Sequence, residues 1–112
     1  MNVFCFDGRL AAQPQVTTTD KGVFVRFTLI RNDYAGKDDQ GNAKERAVSI
    51  PFVSKGPRGQ ALADYVGVGD QILVTAHIQN NNYEKDGETV YGFNFWADEW
   101  DFGAKSQKNA GK

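Results

Sequence analysis

The chain has 112 residues, 40% of them hydrophobic and 12% aromatic, enough for one core and too few for two ordinary domains. One cysteine, Cys5, and one histidine exclude an intrachain disulfide and fall short of a structural zinc site; Met1–Gly8 has no basic segment before an apolar run, and no apolar stretch is long enough to span a bilayer, so a soluble, cytoplasmic chain without a membrane is expected. Residues 1–101 hold all fourteen acidic and ten of the thirteen basic residues, a balance of −4, so composition carries no bulk basic signature of nucleic-acid binding, and any electrostatic footprint must come from local placement of Arg and Lys.

Asn2–Ala12 reads as a first strand, with Gly8 marking a bulge or a close backbone approach and Pro14 ending it. Thr17–Gly22 reads as a turn. Val23–Arg31 is the clearest strand. In it Val23, Val25, Phe27 and Leu29 alternate with Phe24, Arg26, Thr28 and Ile30, a period of two with one wholly apolar face. Asn32–Lys44 is polar, carries Gly36 and Gly41, and is expected to be an exposed, mobile loop. Glu45–Ser54 is a third strand, at an edge or bulged at Pro51, which has no N–H to donate to a ladder.

After the break at Lys55–Gly59, Gln60–Val66 is the one helical segment, two turns at most, closed by Gly67–Asp70. Gln71–Asn80 alternates again, with Ile72, Val74, Ala76 and Ile78 on one face. Lys85-Asp86-Gly87 is a hairpin turn, because Asp-Gly tolerates the positive φ of tight hairpins. Thr89–Trp100 is the fifth strand, with Tyr91, Phe93 and Phe95 opposite in parity to Trp96. Residues 103–112, with Lys105, Lys108 and Lys112 and no acid, read as a flexible basic tail outside a domain of residues 1–102.

Three strands, a short helix and a closing two-stranded hairpin make an all-β chain with the element order of the OB fold. That fold is a five-stranded Greek-key barrel with one short helix between strands 3 and 4, and it binds oligonucleotides or oligosaccharides. Catalytic chemistry is not indicated. His77 stands alone on the polar face of a strand, Cys5 reads as a small apolar filler, and Asp38-Asp39 is a solvated loop pair. There is no P-loop, zinc spacing or nucleophile–base set, so neither an enzyme nor a cofactor is expected.

Several spacings are more specific. Asn2 and Val3 precede Gly8-x-Leu10-x-x-x-Pro14, and Gly22-x-x-Val25-x-Phe27-x-Leu29 follows. Gln60–Val66 leads to Gly69-Asp70-Gln71-Ile72-x-Val74, and Tyr83-x-x-Asp86-Gly87-x-x-x-Tyr91 runs into Phe95-x-Ala97-x-x-Trp100. In this order they resemble the bacterial single-stranded DNA-binding protein family over residues 2–102. The resemblance implies an OB domain that holds single-stranded DNA in a groove, stacks aromatic side chains on bases and sets Lys or Arg against phosphates. It also implies a homotetramer or homodimer paired through first strands, acting in replication, recombination or repair at the bacterial nucleoid.

By that resemblance Tyr34 and Tyr83 fall at stacking positions and Phe52 near a third, where the family usually carries Trp at some sites. The family's acidic tail tip, which recruits replication and repair proteins, has no counterpart after Asp101. A second, more distant resemblance is to the primosomal replication protein N family, a shorter and usually dimeric relative that also binds single-stranded DNA. A protein-interaction domain without nucleic-acid binding is the third alternative, since a fold does not settle a function.

Each site residue also has a plainer reading. Stacking needs a π-face open to the groove. Tyr34 and Tyr83 have polar or turn-flanked surroundings that suit it, a strand residue such as Phe52 suits a core as well, and Trp96 suits either DNA or an oligomer interface. Arg26, Arg31, Arg46, Lys55, Arg58 and Lys85 are candidate phosphate contacts, each against the alternative of a solvated surface charge. Arg31 and Lys55 flank the proposed aromatics.

Overall fold

The alternation in Val23–Arg31 becomes the inner wall of a barrel. The computed structural model describes residues 1–105. Its elements are β1 (Phe4–Leu10), β2 (Gln15–Thr19), β3 (Gly22–Lys37), β4 (Ala43–Lys55), α1 (Pro57–Tyr65), β5 (Gln71–Asn80), β6 (Tyr83–Lys85), β7 (Glu88–Val90) and β8 (Phe93–Phe102). β3 buries Val25, Phe27 and Leu29 and turns Arg26 and Ile30 outward, as a period of two requires.

β3 pairs antiparallel with β4 from Phe24↔Lys55 to Lys37↔Ala43. β1 pairs with β5 and β5 with β8, both antiparallel, and β8 meets β4 in parallel at Val53↔Trp96. Arg9↔Ile30 and Leu10↔Leu29 return β1 to β3 and close the ring. The ring strands are β1, β3, β4, β5 and β8, with α1 between the third and fourth of them in sequence, so the expected OB architecture is the one found. β2 extends the sheet outside the ring, along β3. No helix of the described residues is long and apolar enough to cross a membrane.

Closure puts a steric demand on Gly8. A Cβ there would lie 2.9 Å from the Ile30 carbonyl oxygen and 3.1 Å from the Leu29 Cβ, so the two backbones meet only because that atom is missing. Of the two expectations for Gly8, close approach is the one realised. Asn2, just ahead of β1, extends the β1–β5 contact by side chain alone: its amide both donates to the Ile78 carbonyl (2.8 Å) and accepts from the Ile78 N–H (3.0 Å).

Inside the ring the core is aromatic. Phe52 is 1% exposed, and its ring lies 5.5–6.3 Å from those of Phe27, Phe4, Phe6 and Phe95. Trp100 joins this core although it has the parity of Trp96, which faces out. The pairing shifts between Thr75↔Glu99 and Ala76↔Ala97, so Asp98 is an extra residue and the inward parity changes after it. α1 is tied to β8 at the same place. The Trp100 indole donates to the Arg58 carbonyl (2.9 Å), Arg58 donates to the Trp100 carbonyl (2.5 Å), and the guanidinium sits 4.4 Å from the indole centroid.

Several boundaries differ from expectation, each for a local reason. The first strand is shorter, ending at Leu10, and the segment after Pro14 forms β2, so Thr17–Thr19 are strand and only the chain from Thr19 to Gly22 turns. Asn32–Lys44 is not a loop. β3 continues to Lys37 and β4 starts at Ala43, because a cross-strand ladder satisfies polar residues as well as apolar ones. The connection is a closed turn in which the Asp38 carboxylate accepts from the N–H groups of Gln40 and Asn42.

The helix starts earlier, at Pro57, which as a first helical residue gives up no N–H the helix needs. The fifth strand is interrupted at Tyr91–Gly92, leaving β7 as the partner of β6 around Asp86 (φ 54°) and Gly87 (φ 81°). Gly103 and Ala104 are bonded to Gln71 rather than belonging to a free tail, and the remainder of that expected tail, from residue 106, lies outside the described residues.

Two substitutions test this frame. Phe52→Ala should cost about 3–5 kcal/mol, the usual loss for emptying a buried aromatic site. Gly8→Ala adds one methyl group yet should cost about 1–3 kcal/mol through overpacking at the β1–β3 closure. Urea denaturation at constant m-value reads both.

Candidate nucleic-acid interface

Two β arms stand away from the ring. The first is the far part of β3 and β4, past the closure at Ile30, and the second is the β6–β7 hairpin. They help account for a radius of gyration of 16.5 Å, against about 13 Å for a compact domain of this length.

Each arm carries one of the tyrosines expected to stack. Tyr34 is 67% exposed on β3 and Tyr83 is 55% exposed on β6, and neither ring packs on another aromatic among the described residues. Both rings are more than half exposed, and Phe52 is not. It lies at the centre of the phenylalanine cluster, and its nomination as a stacking residue is corrected by its burial.

Trp96 is half-buried on the outer face of β8. Its ring meets Phe24 edge-on at 6.3 Å, while Lys55 Nζ sits 5.8 Å from the Phe24 centroid, opposite it on β4. The Trp96 indole N–H is buried without an acceptor among the described residues. Phe24, Trp96 and Lys55 thus form one amphipathic patch spanning three strands.

The six cations divide into two groups. Arg31 is 2.6 Å from both Asp7 and Asp33. Its guanidinium is held above its ordinary pKa, first by the hydrogen bond to Asp33, with the charges of Asp33 and Asp7 adding to it. Arg58 is committed to Trp100. Each of these two therefore has a partner within the fold, while Arg58 stays exposed and Arg31 partly so. Arg26, Arg46 and Lys85 are exposed and form no salt bridge with the described residues, and Lys55 is in contact only with an aromatic face.

Two further exposed aromatics are Tyr91, at 75%, and Phe93, at 60%. Sequence reasoning assigned them only a strand parity. Gly92 between them was the available signal, since an isolated glycine in a strand pattern marks close backbone approach. Here Asn81 donates to the Gly92 carbonyl at 2.8 Å, and a Cβ on Gly92 would lie 3.1 Å from the Asn81 oxygen. His77 is bonded to both carboxylate oxygens of Asp98 at 2.8–2.9 Å, and Cys5 is exposed on β1 rather than buried as a filler. Among the described residues no three His, Cys, Asp or Glu side chains are placed to hold a metal ion.

The Single-strand binding protein family matches residues 1–102. "Single-stranded DNA-binding protein 2" of Streptococcus agalactiae is 34% identical over 86 residues, 75% of this chain and 63% of that protein. "Single-stranded DNA-binding protein" of Clostridium perfringens is 30% identical over 105 residues, 91% of this chain and 65% of that protein. The chain thus spans somewhat less than two thirds of these relatives.

Among solved structures, a small single-stranded DNA-binding protein from Streptomyces coelicolor superposes with a TM-score of 0.70 at 16% identity, covering 90% of this chain and 93% of that one. A Plasmodium falciparum SSB in complex with ssDNA superposes with a TM-score of 0.71 at 15% identity, covering 90% and 91%. At these identities the likeness is one of fold.

Truncating the two kinds of cation will tell them apart without any ligand. Arg58→Ala should lower stability by about 1–2 kcal/mol, through the lost hydrogen bond and cation–π contact, while Arg46→Ala should leave thermal unfolding unchanged.

Proposed function

We propose that this chain, which belongs to the single-strand binding protein family, binds single-stranded DNA with little regard to sequence. The observation that carries this is an exposed tyrosine ring on each of two separate arms, Tyr34 on the first and Tyr83 on the second. Arg46 and Lys85 stand on the same arms in no salt bridge among the described residues, although their cross-strand neighbours are Asp33 and Glu88. Stacking on tyrosine suits any base, because every base has a π-face, and is worth about 1–3 kcal/mol per base. The cations meet phosphates, which supply affinity without sequence choice and make it fall with salt. No bond is made or broken, and no residue is required to act as acid, base or nucleophile.

A homo-oligomer belongs to the same reading. β1 pairs with β5 on one side but reaches β3 only at Arg9 and Leu10, so Phe4–Asp7 offers an open edge that a second copy can extend. In this reading the protein covers displaced strands during replication, recombination or repair.

The test is fluorescence anisotropy of a labelled oligo-dT at two salt concentrations with a matched duplex as competitor. Tight binding that ignores the duplex is expected, with log K falling against log salt by about 0.7 per phosphate contacted. The double variant Tyr34→Ala/Tyr83→Ala should bind at least about tenfold more weakly while melting normally. A folded double variant with wild-type affinity would refute the assignment of the two tyrosines, and failure of the wild type to bind at low salt would refute the function.

A further inference from the structure

The ring has one weak seam. β8 meets β4 at the single position Val53↔Trp96, and between Pro51–Val53 on one side and Phe93–Phe95 on the other lies a cavity of about 340 Å³. Pro51 stands exposed on its rim, on a strand edge with little ladder to lose. Phe93, 60% exposed, forms one wall. Arg26 and the amides of Gln15 and Asn94 also line it, and none of the three side chains has a hydrogen-bond or ion-pair partner among the described residues.

Charge singles this cavity out. Its lining contains no carboxylate, whereas three other cavities are each bordered by at least one aspartate: Asp7, Asp7 again, and Asp64. In a body that carries more acid than base, an anion meets least repulsion here. The volume falls at the small end of ligand sites, about 300–1,000 Å³. An amide side chain supplies both a donor and an acceptor, the two functions that the edge of a nucleobase presents.

We propose that the seam holds one unstacked nucleotide of the bound strand, its base against Phe93, its polar edge toward Gln15 and Asn94 and its phosphate toward Arg26. This rests on the single-strand reading above and adds to it a place where base identity is sensed. The tyrosine platforms tolerate every base, whereas amides that read a base edge reward some bases over others.

The experiment measures the affinity of oligo-dT, oligo-dA and oligo-dC of equal length at one salt concentration. The proteins are the wild type, Phe93→Ala, and the double variant Gln15→Ala/Asn94→Ala, each checked for cooperative melting. The wild type should separate the three homopolymers. Phe93→Ala should weaken binding about tenfold, and the amide double variant should narrow the separation.

Equal affinities in the wild type, or a separation unchanged in the double variant, overturn the pocket and leave the single-strand reading standing. A wild type that binds none of the three overturns that reading and the pocket with it. Should the double variant not fold, photocrosslinking of the wild type with iodouracil-substituted oligo-dT reads the contact directly. A crosslink at Phe93 supports the pocket, and crosslinks confined to Tyr34 and Tyr83 overturn it.

Discussion

The packing of Phe52 is the interaction on which the rest of the structure depends. Its ring touches those of Phe4, Phe6, Phe27 and Phe95, which come from β1, β3 and β8. Backbone pairing between β4 and β8 is a single position, so side-chain contact across the interior holds that part of the ring together. Burying a phenylalanine contributes about 1.5–3 kcal/mol, with about 0.5–1.5 kcal/mol more for each well-placed ring pair. Stacking on a base would return a similar amount only while DNA is bound. A single ring cannot serve both purposes, and in this chain position 52 serves the core.

Charge follows the same division of labour. The body is acidic, and two of its candidate phosphate ligands already have partners in the fold, Arg31 in Asp7 and Asp33 and Arg58 in Trp100. What is left for an anionic strand is a small set of cations placed on the arms and along the seam. At physiological salt, charges interact over about 8 Å, so local placement matters more than the sign of the whole body. An acidic chain and a nucleic-acid interface are therefore compatible here.

The arms show how exposed surface is added without enlarging the core. β3 and β4 continue as a ladder past the point where the ring closes, and the short β6–β7 hairpin adds a second projection. Tyrosine suits such places, because its ring can remain in water with the hydroxyl solvated until a base covers it. The interruption at Gly92 matters equally, since it leaves Tyr91 outside the strands, while Phe93, the first residue of β8, lines the seam.

The sequence by itself determined the elements that local chemistry decides. The alternation of Val25, Phe27 and Leu29 is a period of two that only a half-buried strand satisfies. Asp86-Gly87 makes a tight turn because its backbone tolerates positive φ, and the order of strands and helix leads to the OB barrel. The exposure of Tyr34 and Tyr83 was also legible, from their polar neighbours. Only the tertiary structure decided that Phe52 is core, that Arg31 and Arg58 are engaged, and that Phe93 borders an open seam. Each of those facts depends on a partner distant in the chain: Asp7 for Arg31, Trp100 for Arg58, and the gap between β4 and β8 for Phe93. Local periodicity says which face a side chain takes along its own strand, but not what the closed ring brings against that face.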